Sequence, residues 1–76
     1  MTRYSYINKN IERIKYEIKI GLISPTILKH WEIYSRFDYY IKAGNTISNA
    51  ALFAGDDNNV DSSWVFKIKN QMESEV

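Results

Sequence analysis

The sequence predicts an all-α fold of four helices. Apolar residues recur at intervals of three and four along most of the chain, which is the spacing of one face of a helix. Residues that cap helix N-termini precede the apolar stretches, and glycine or polar turn residues follow them. The chain of 76 residues has the size of one domain, which is expected to span residues 1–76. We expect the helices at about residues 5–20, 25–43, 46–54 and 61–73.

The first helix is predicted from an apolar stripe that Gly21 should end. Two interpretations of this stripe are open. Isoleucine at both the a and d positions of a heptad favours association between chains, which predicts a homodimer seam. The same side chains can pack inside the domain instead. The four residues of the predicted seam are Ile7, Ile11, Ile14 and Ile18.

The second helix has a well-marked start, because Ser24 can cap it and Pro25 suits the first helical position. Its apolar residues cover much of the helix circumference, which predicts a central helix that the others contact. The segment Ala43–Asn45 should end it.

Two shorter helices follow. Asn45 or Thr46 should cap the third helix, and Gly55 should end it before a polar turn at residues 56–59. Asp61 should cap the fourth helix. The inner face of the fourth helix is predicted to consist of Trp64, Val65, Ile68 and Met72.

Composition and missing motifs disfavour several classes of protein. The absence of cysteine excludes disulfides and thiolate chemistry, and it predicts a reducing, cytoplasmic location. No apolar run has the length of a membrane span, and the charged N-terminal segment lacks the pattern of a signal peptide. No glycine-rich phosphate loop and no nucleophile with a plausible base is present, so we expect no enzymatic activity and no cofactor.

Three other features favour structural interpretations. The single histidine, His30, has no metal ligands at suitable spacing. The acidic turn fails as a calcium loop, because the sixth and twelfth residues from Asp56 are Asp61 and Lys67 instead of glycine and glutamate. The aromatic residues between positions 31 and 40 could stack on single-stranded nucleic acid, but packing against a small core is the preferred interpretation.

Charge is distributed unevenly along the chain, although the formal net charge is only +1. Residues 1–20 hold five basic and two acidic side chains, whereas residues 46–76 hold two basic and five acidic ones. The N-terminal helix is therefore the segment best suited to anionic partners, and the C-terminal third is the least suited.

The stretches Asn49–Gly55 and Val60–Ile68 together resemble the helix-turn-helix of small regulators from phages and mobile elements. With the preceding helix included, the resemblance extends over residues 33–72. Its clearest part is an apolar residue, a capping residue and then a valine and an isoleucine three positions apart. Two alignments are open: Ala51 and Gly55 can be the motif's small residue and turn glycine, or Ala54 can be the small residue.

This resemblance implies that the fourth helix enters the major groove of double-stranded DNA. Ser62, Ser63 and Asn70 would hydrogen-bond base edges. Lys67 would reach guanine or phosphate, and Phe66 would meet a thymine methyl group.

The same resemblance implies the role of a transcriptional regulator or accessory DNA-binding factor. Phosphate contacts would come from Lys42, Lys69 and the basic first helix. Regulators of this type commonly act as symmetric dimers, so the homodimer seam is compatible with DNA binding.

A function of a different class is also open. The near-neutral total charge and the acidic C-terminal third favour a protein-interaction module, such as a phage host-takeover or assembly factor with no nucleic-acid role.

Overall fold

In a computed structural model that describes residues 1–76, the chain is entirely helical. The predicted all-α class is confirmed, but the structure has five helices where the sequence predicted four. The helices are α1 (Arg3–Lys9), α2 (Ile11–Lys19), α3 (Thr26–Lys42), α4 (Ile47–Asn58) and α5 (Ser62–Met72).

The additional helix arises because Asn10 divides the predicted first helix into α1 and α2. Its backbone leaves the helical region at φ −114° and ψ 18°. Its side-chain amide donates a hydrogen bond to the Tyr6 carbonyl oxygen at 2.8 Å. Asparagine side chains compete in this way for backbone groups, which weakens a helix from within. The prediction of one helix over residues 5–20 was therefore wrong at this residue.

The longest helix, α3, lies at the centre of the molecule and packs against both α4 and α5. It also contacts α1, because the Tyr4 and Tyr34 rings lie 4.6 Å apart edge to face. The Trp31 indole N–H donates to the Asn8 side-chain oxygen at 3.2 Å. The predicted central position of this helix agrees with these contacts.

One apolar cluster forms the core and holds two residues of the isoleucine stripe. Ile7 and Ile14 are buried in it, whereas Ile11 and Ile18 are partly buried against it. A homodimer seam through all four isoleucines is therefore not present on the surface, because two of them are used inside the chain. The buried apolar residues are Ile7, Ile14, Ile33, Tyr34, Phe37, Ala50, Ala51, Ala54, Val65, Ile68 and Met72.

Three helices end in the same hydrogen-bonded turn. In each, a residue with positive φ follows the helix, and the next backbone N–H donates to a carbonyl oxygen five residues earlier. Gly21 and Gly44 take this conformation after α2 and α3, as the sequence predicted. These N–H···O bonds are Leu22 to Glu17 at 2.9 Å, Asn45 to Tyr40 at 3.1 Å and Val60 to Gly55 at 2.9 Å.

Gly55 does not end α4, contrary to the sequence prediction. The helix continues to Asn58, and Asn59 adopts the left-handed conformation at φ 56°. Gly55 is buried inside the helix, where an added Cβ would lie 2.6 Å from the Val60 carbonyl oxygen. The glycine is thus needed for close approach of the following turn and not for chain reversal.

The two chain termini are joined by backbone hydrogen bonds. The Arg3 N–H donates to the Ser74 carbonyl oxygen at 2.8 Å, and the Val76 N–H donates to the Met1 carbonyl oxygen at 3.1 Å. The N-terminal ammonium also pairs with the Glu75 carboxylate at 2.8 Å. These contacts fix α1 beside the C-terminal end of α5.

The chain packs less closely around α2, where a groove of about 300 Å³ remains beside the start of α3. Four isoleucines form most of its apolar lining together with Tyr6 and Val76, and Arg3, Arg13 and Glu17 lie along it. We call this the isoleucine groove, whose isoleucines are Ile7, Ile14, Ile23 and Ile27.

The close approach at Gly55 leads to a stability prediction. Gly55→Ala should lower the free energy of unfolding by about 1–3 kcal/mol, because the new methyl group meets the backbone of the turn. At an open helical site the same change would stabilise by about 1 kcal/mol. Urea unfolding followed by circular dichroism measures the difference, with the exposed Asn49→Ala as the control in α4. Stabilisation by Gly55→Ala would contradict the packing described above.

Tyr34 provides a prediction about alkaline pH. Burial, together with the hydrogen bond that its hydroxyl donates to Glu73 at 2.9 Å, raises the pKa of Tyr34 above its usual 10. The unfolded chain releases this proton first, so the stabilising contribution is complete below about pH 10 and is lost as the pH rises further.

Tyr34→Phe should therefore weaken the decline in stability above pH 10 and cost about 1 kcal/mol near neutral pH. Some decline should remain, because the hydrogen bond to Asp57 also raises the pKa of Tyr40. Thermal unfolding across the alkaline range measures both effects, with the exposed Tyr16→Phe as the control. An unchanged pH profile for Tyr34→Phe would argue against this assignment.

Candidate nucleic-acid interface

The fourth predicted helix corresponds to α5, whose start is fixed by Asp61. The Asp61 carboxylate accepts a hydrogen bond from the Ser63 backbone N–H at 3.4 Å, so the predicted cap is confirmed. Residues 59–61 connect α4 to α5. Val65, Ile68 and Met72 are buried, and their spacing of three and four directs one face of α5 into the core.

The opposite face of α5 is exposed and mostly polar. It includes three residues that the sequence predicted to contact DNA, namely Ser63, Lys67 and Asn70. These three occupy one side of the helix at spacings of four and three. Gln71 is also exposed and was not predicted.

Trp64 lies at the edge of this exposed face, although the sequence placed it on the inner face. Its ring is 41% exposed and meets the His30 ring edge to face at 5.9 Å between centroids. The Lys67 Nζ atom lies 5.7 Å from the centre of the indole. Val65, Ile68 and Met72 form the buried side of α5. Trp64 lies at the border of this side and is therefore partly exposed.

Two other predicted contact residues are less accessible than expected. Phe66 is half-buried and packs against the core, although it lies three residues after Ser63 and four before Asn70 on the helix. Ser62, the first residue of α5, is half-buried as well. The structure therefore leaves Phe66 less exposed than Trp64, which lies at the edge of the exposed face.

The two lysines predicted to contact phosphate are held in ion pairs within the chain. Lys42 lies 2.9 Å from the Asp38 carboxylate, and this hydrogen bond raises the pKa of Lys42. Lys69 lies 2.9 Å from Glu73. A nearby carboxylate offsets the positive charge of each of these side chains.

Six basic side chains have no carboxylate within 4.0 Å. Lys29 belongs to this group and was not among the predicted contacts; it directly precedes His30, whose ring touches Trp64. Its position in α3, the helix that packs against α5, could have identified Lys29 from the sequence. The six are Arg3, Lys9, Lys15, Lys19, Lys29 and Lys67.

The predicted acidic turn is partly neutralised by α3. Asp57 belongs to α4 and pairs with Arg36 at 3.1 Å. It also accepts a hydrogen bond of 2.6 Å from the Tyr40 hydroxyl, which is the main reason that the pKa of Asp57 is lowered. A cleft of about 440 Å³ borders this cluster, and its mostly polar lining includes Arg36 and Asp57, with Trp31 as the hydrophobic residue. Asp56 and Asp61 remain without a basic partner.

No group of three or more His, Asp or Glu side chains is placed to hold a metal ion. None of the five helices combines the length and apolar character needed to cross a membrane. Comparison with known proteins found no matching family model, no matching curated protein and no matching solved structure.

The positions of Trp64 and Phe66 lead to paired predictions about stability. Phe66→Ala should lower the free energy of unfolding by about 2 kcal/mol, because it removes a ring packed against the core. Trp64→Ala should cost about 1 kcal/mol or less, since its partly exposed indole does not belong to the apolar core cluster. Urea titrations followed by far-ultraviolet circular dichroism compare the two variants. The reverse order would mean that the indole, and not the phenyl ring, supports the core.

Proposed function

We propose that this chain is a double-stranded DNA-binding protein of the helix-turn-helix type, acting as a small transcriptional regulator or accessory DNA-binding factor. The observation that carries the proposal is the two-sided character of α5. One side is fully buried through Val65 and Ile68, and the other presents Ser63, Lys67 and Asn70 to solvent. A helix with this division can lie in the major groove while its scaffold stays outside.

The connection between α4 and α5 supports the same proposal. Only residues 59–61 separate the helices, so the long turn expected from the sequence does not occur. Gly55 is a small residue against the turn, Asn59 has the left-handed backbone of a turn glycine, and Val60 is half-buried. In this alignment Gly55 is the small residue of the motif, Asn59 is in the place of the turn glycine, and Val60 is the apolar residue after the turn. It differs from both alignments considered from the sequence.

The exposed face offers suitable chemistry for base edges. Ser63, Asn70 and Gln71 carry hydrogen-bonding groups, and Lys67 can reach guanine or a phosphate. Trp64, which is more exposed than Phe66, is a further apolar group available to a thymine methyl. Lys29 is exposed and directly precedes His30, whose ring meets Trp64, and we assign it the first phosphate contact.

Electrostatics set the expected strength of this interaction. Because Lys42 and Lys69 are paired internally, few lysines remain to neutralise phosphates near α5. With about two to four phosphate contacts, the logarithm of the binding constant should fall with the logarithm of salt concentration at a slope of about −2 to −4. The interaction should therefore be modest and clearly salt-dependent.

A protein-interaction module is the second candidate, and specific exposed side chains favour it. Tyr16, Leu22, Leu52 and Phe53 are large, apolar or aromatic, and solvent-accessible, and none of them belongs to α5. Such side chains are common at protein interfaces when they lie together.

Binding to a pool of random duplex DNA at about 50 and 200 mM salt tests the proposal, because phosphate contacts weaken between these concentrations. Lys67→Glu should abolish or strongly weaken the interaction. Lys15→Glu, an equal charge change on α2, is the matched control and should have a much smaller effect. Fluorescence anisotropy of labelled duplex gives the binding constants.

Selection of preferred sites then tests base readout. Asn70→Ala should relax the preference at one base pair, by about 1–3 kcal/mol, without changing the salt slope. Absence of binding at the lower salt concentration, or equal losses for Lys67→Glu and Lys15→Glu, would exclude DNA recognition through α5.

A further inference from the structure

The only histidine of the chain lies beside the exposed side of α5. His30 belongs to α3 and is half-buried, and its ring meets the Trp64 ring at 5.9 Å between centroids. We propose that His30 is a pH-dependent part of the DNA interface, because its protonated ring adds a positive charge there and tightens DNA binding as the pH falls. This role rests on the proposed DNA binding and concerns how that binding is regulated.

Trp64 connects His30 to the exposed residues of α5. The Lys67 Nζ atom lies 5.7 Å from the centre of the same indole. Both side chains are therefore within about 6 Å of one ring, which is the distance over which an indole attracts a cation. Protonation of His30 is thus compatible with its contact to Trp64.

The basic side chains around this contact are not neutralised within the chain. Lys29 directly precedes His30, and Lys67 meets the other partner of the contact, Trp64. No carboxylate lies within 4.0 Å of either lysine or of His30. Protonated His30 therefore adds a third positive charge to those of Lys29 and Lys67. Such a cluster favours phosphate groups.

Several acidic side chains of the elements that pack against α3 already have partners. Glu73, after α5, accepts the hydrogen bond of Tyr34, which lies one turn after His30, and pairs with Lys69. Asp57 in α4 pairs with Arg36. The helix α1 contains no acidic residue. These groups leave the added charge of His30 available to a ligand.

Three unpaired carboxylates of the same elements are Glu32, Asp56 and Asp61. Glu32 lies two residues after His30, a spacing that places it on the other side of α3. Asp56 is exposed in α4. Asp61 caps α5 three residues before Trp64, and its charge favours the protonated form of His30 while it weakens the attraction for DNA.

Proton uptake and DNA binding strengthen each other. Since phosphates attract the charged form of His30, protonation must raise the affinity for DNA by the same factor by which DNA favours protonation. A histidine ordinarily gains its charge near about pH 6.5. One added phosphate contact is worth about tenfold in the binding constant near 0.1 M salt. The binding constant should therefore rise about threefold from about pH 7.0 to about pH 5.5.

Fluorescence anisotropy of labelled random duplex DNA at these two pH values measures the effect, because the N-terminal ammonium stays mostly charged between them. His30→Gln should bind with equal strength at both pH values. His30→Lys carries its charge throughout and should bind at least as tightly as the parent protein does at the lower pH. For the parent protein, the salt slope should steepen by up to about 0.9 at the lower pH.

A matched control places the titrating group elsewhere. Tyr16→His, introduced into the His30→Gln protein, puts a histidine at an exposed site of α2 and should not restore the pH dependence. Circular dichroism at both pH values confirms that each variant remains folded. Nuclear magnetic resonance of the single His30 ring should show a titration midpoint that is higher by about 0.5–1 pH unit when DNA is added.

The outcomes separate this role from DNA binding itself. Absence of DNA binding at both pH values refutes the proposed function and the role of His30 together. DNA binding that is independent of pH, a rise that persists in His30→Gln, or a rise restored by Tyr16→His overturns the role of His30 alone. An unchanged titration midpoint of His30 in the presence of bound DNA does the same.

Discussion

The contact between Gly55 and the Val60 carbonyl oxygen is the constraint on which the C-terminal half of the structure depends. The absence of a side chain at Gly55 lets the turn after α4 fold directly back against the helix. The Val60 N–H then bonds to the Gly55 carbonyl oxygen, and Asn59 takes the left-handed conformation that this turn requires. The short turn brings α5 back against both α3 and α4.

This arrangement also determines what α5 leaves exposed. Burial of Val65, Ile68 and Met72 fixes the rotation of the helix about its own axis. The polar residues on the opposite side of α5 are then exposed to solvent. The candidate interface is thus a consequence of core packing, and a change in the turn would rotate or displace it even if none of its residues were altered.

Much of the fold was accessible from the sequence, because it depended on patterns within single helices. Apolar spacing located the inner side of each helix, and Gly21 and Gly44 marked the ends of α2 and α3. The errors at Asn10 and Gly55 have a common cause. Asparagine can lie within a helix or interrupt it, and glycine can end a helix or allow another segment to approach closely. The contact that each residue makes decides between these roles. The Asn10 amide bonds to a backbone carbonyl, and Gly55 lies against the following turn.

The candidate site was less accessible for a related reason. Residue type identified Lys42 and Lys69 as cations, but partners one helical turn away offset their charge. A count of charges along the chain cannot register such pairs. The exposure of Ser63, Lys67 and Asn70 was predictable, because helical spacing alone separates them from the buried side. Trp64 was misplaced because a large aromatic ring was taken to be internal, although the core was already filled by its neighbours.

The hydrogen bonds between residues near the two ends have a consequence for how the molecule can be connected. Since Val76 bonds to Met1, the two ends lie side by side next to α1 and the last turn of α5. A short peptide could join them without disturbing any helix, and new ends could open at the exposed connection around Ser24. Segments attached at both ends would begin at neighbouring positions on the surface, so the domain would hold the two attached segments close to each other.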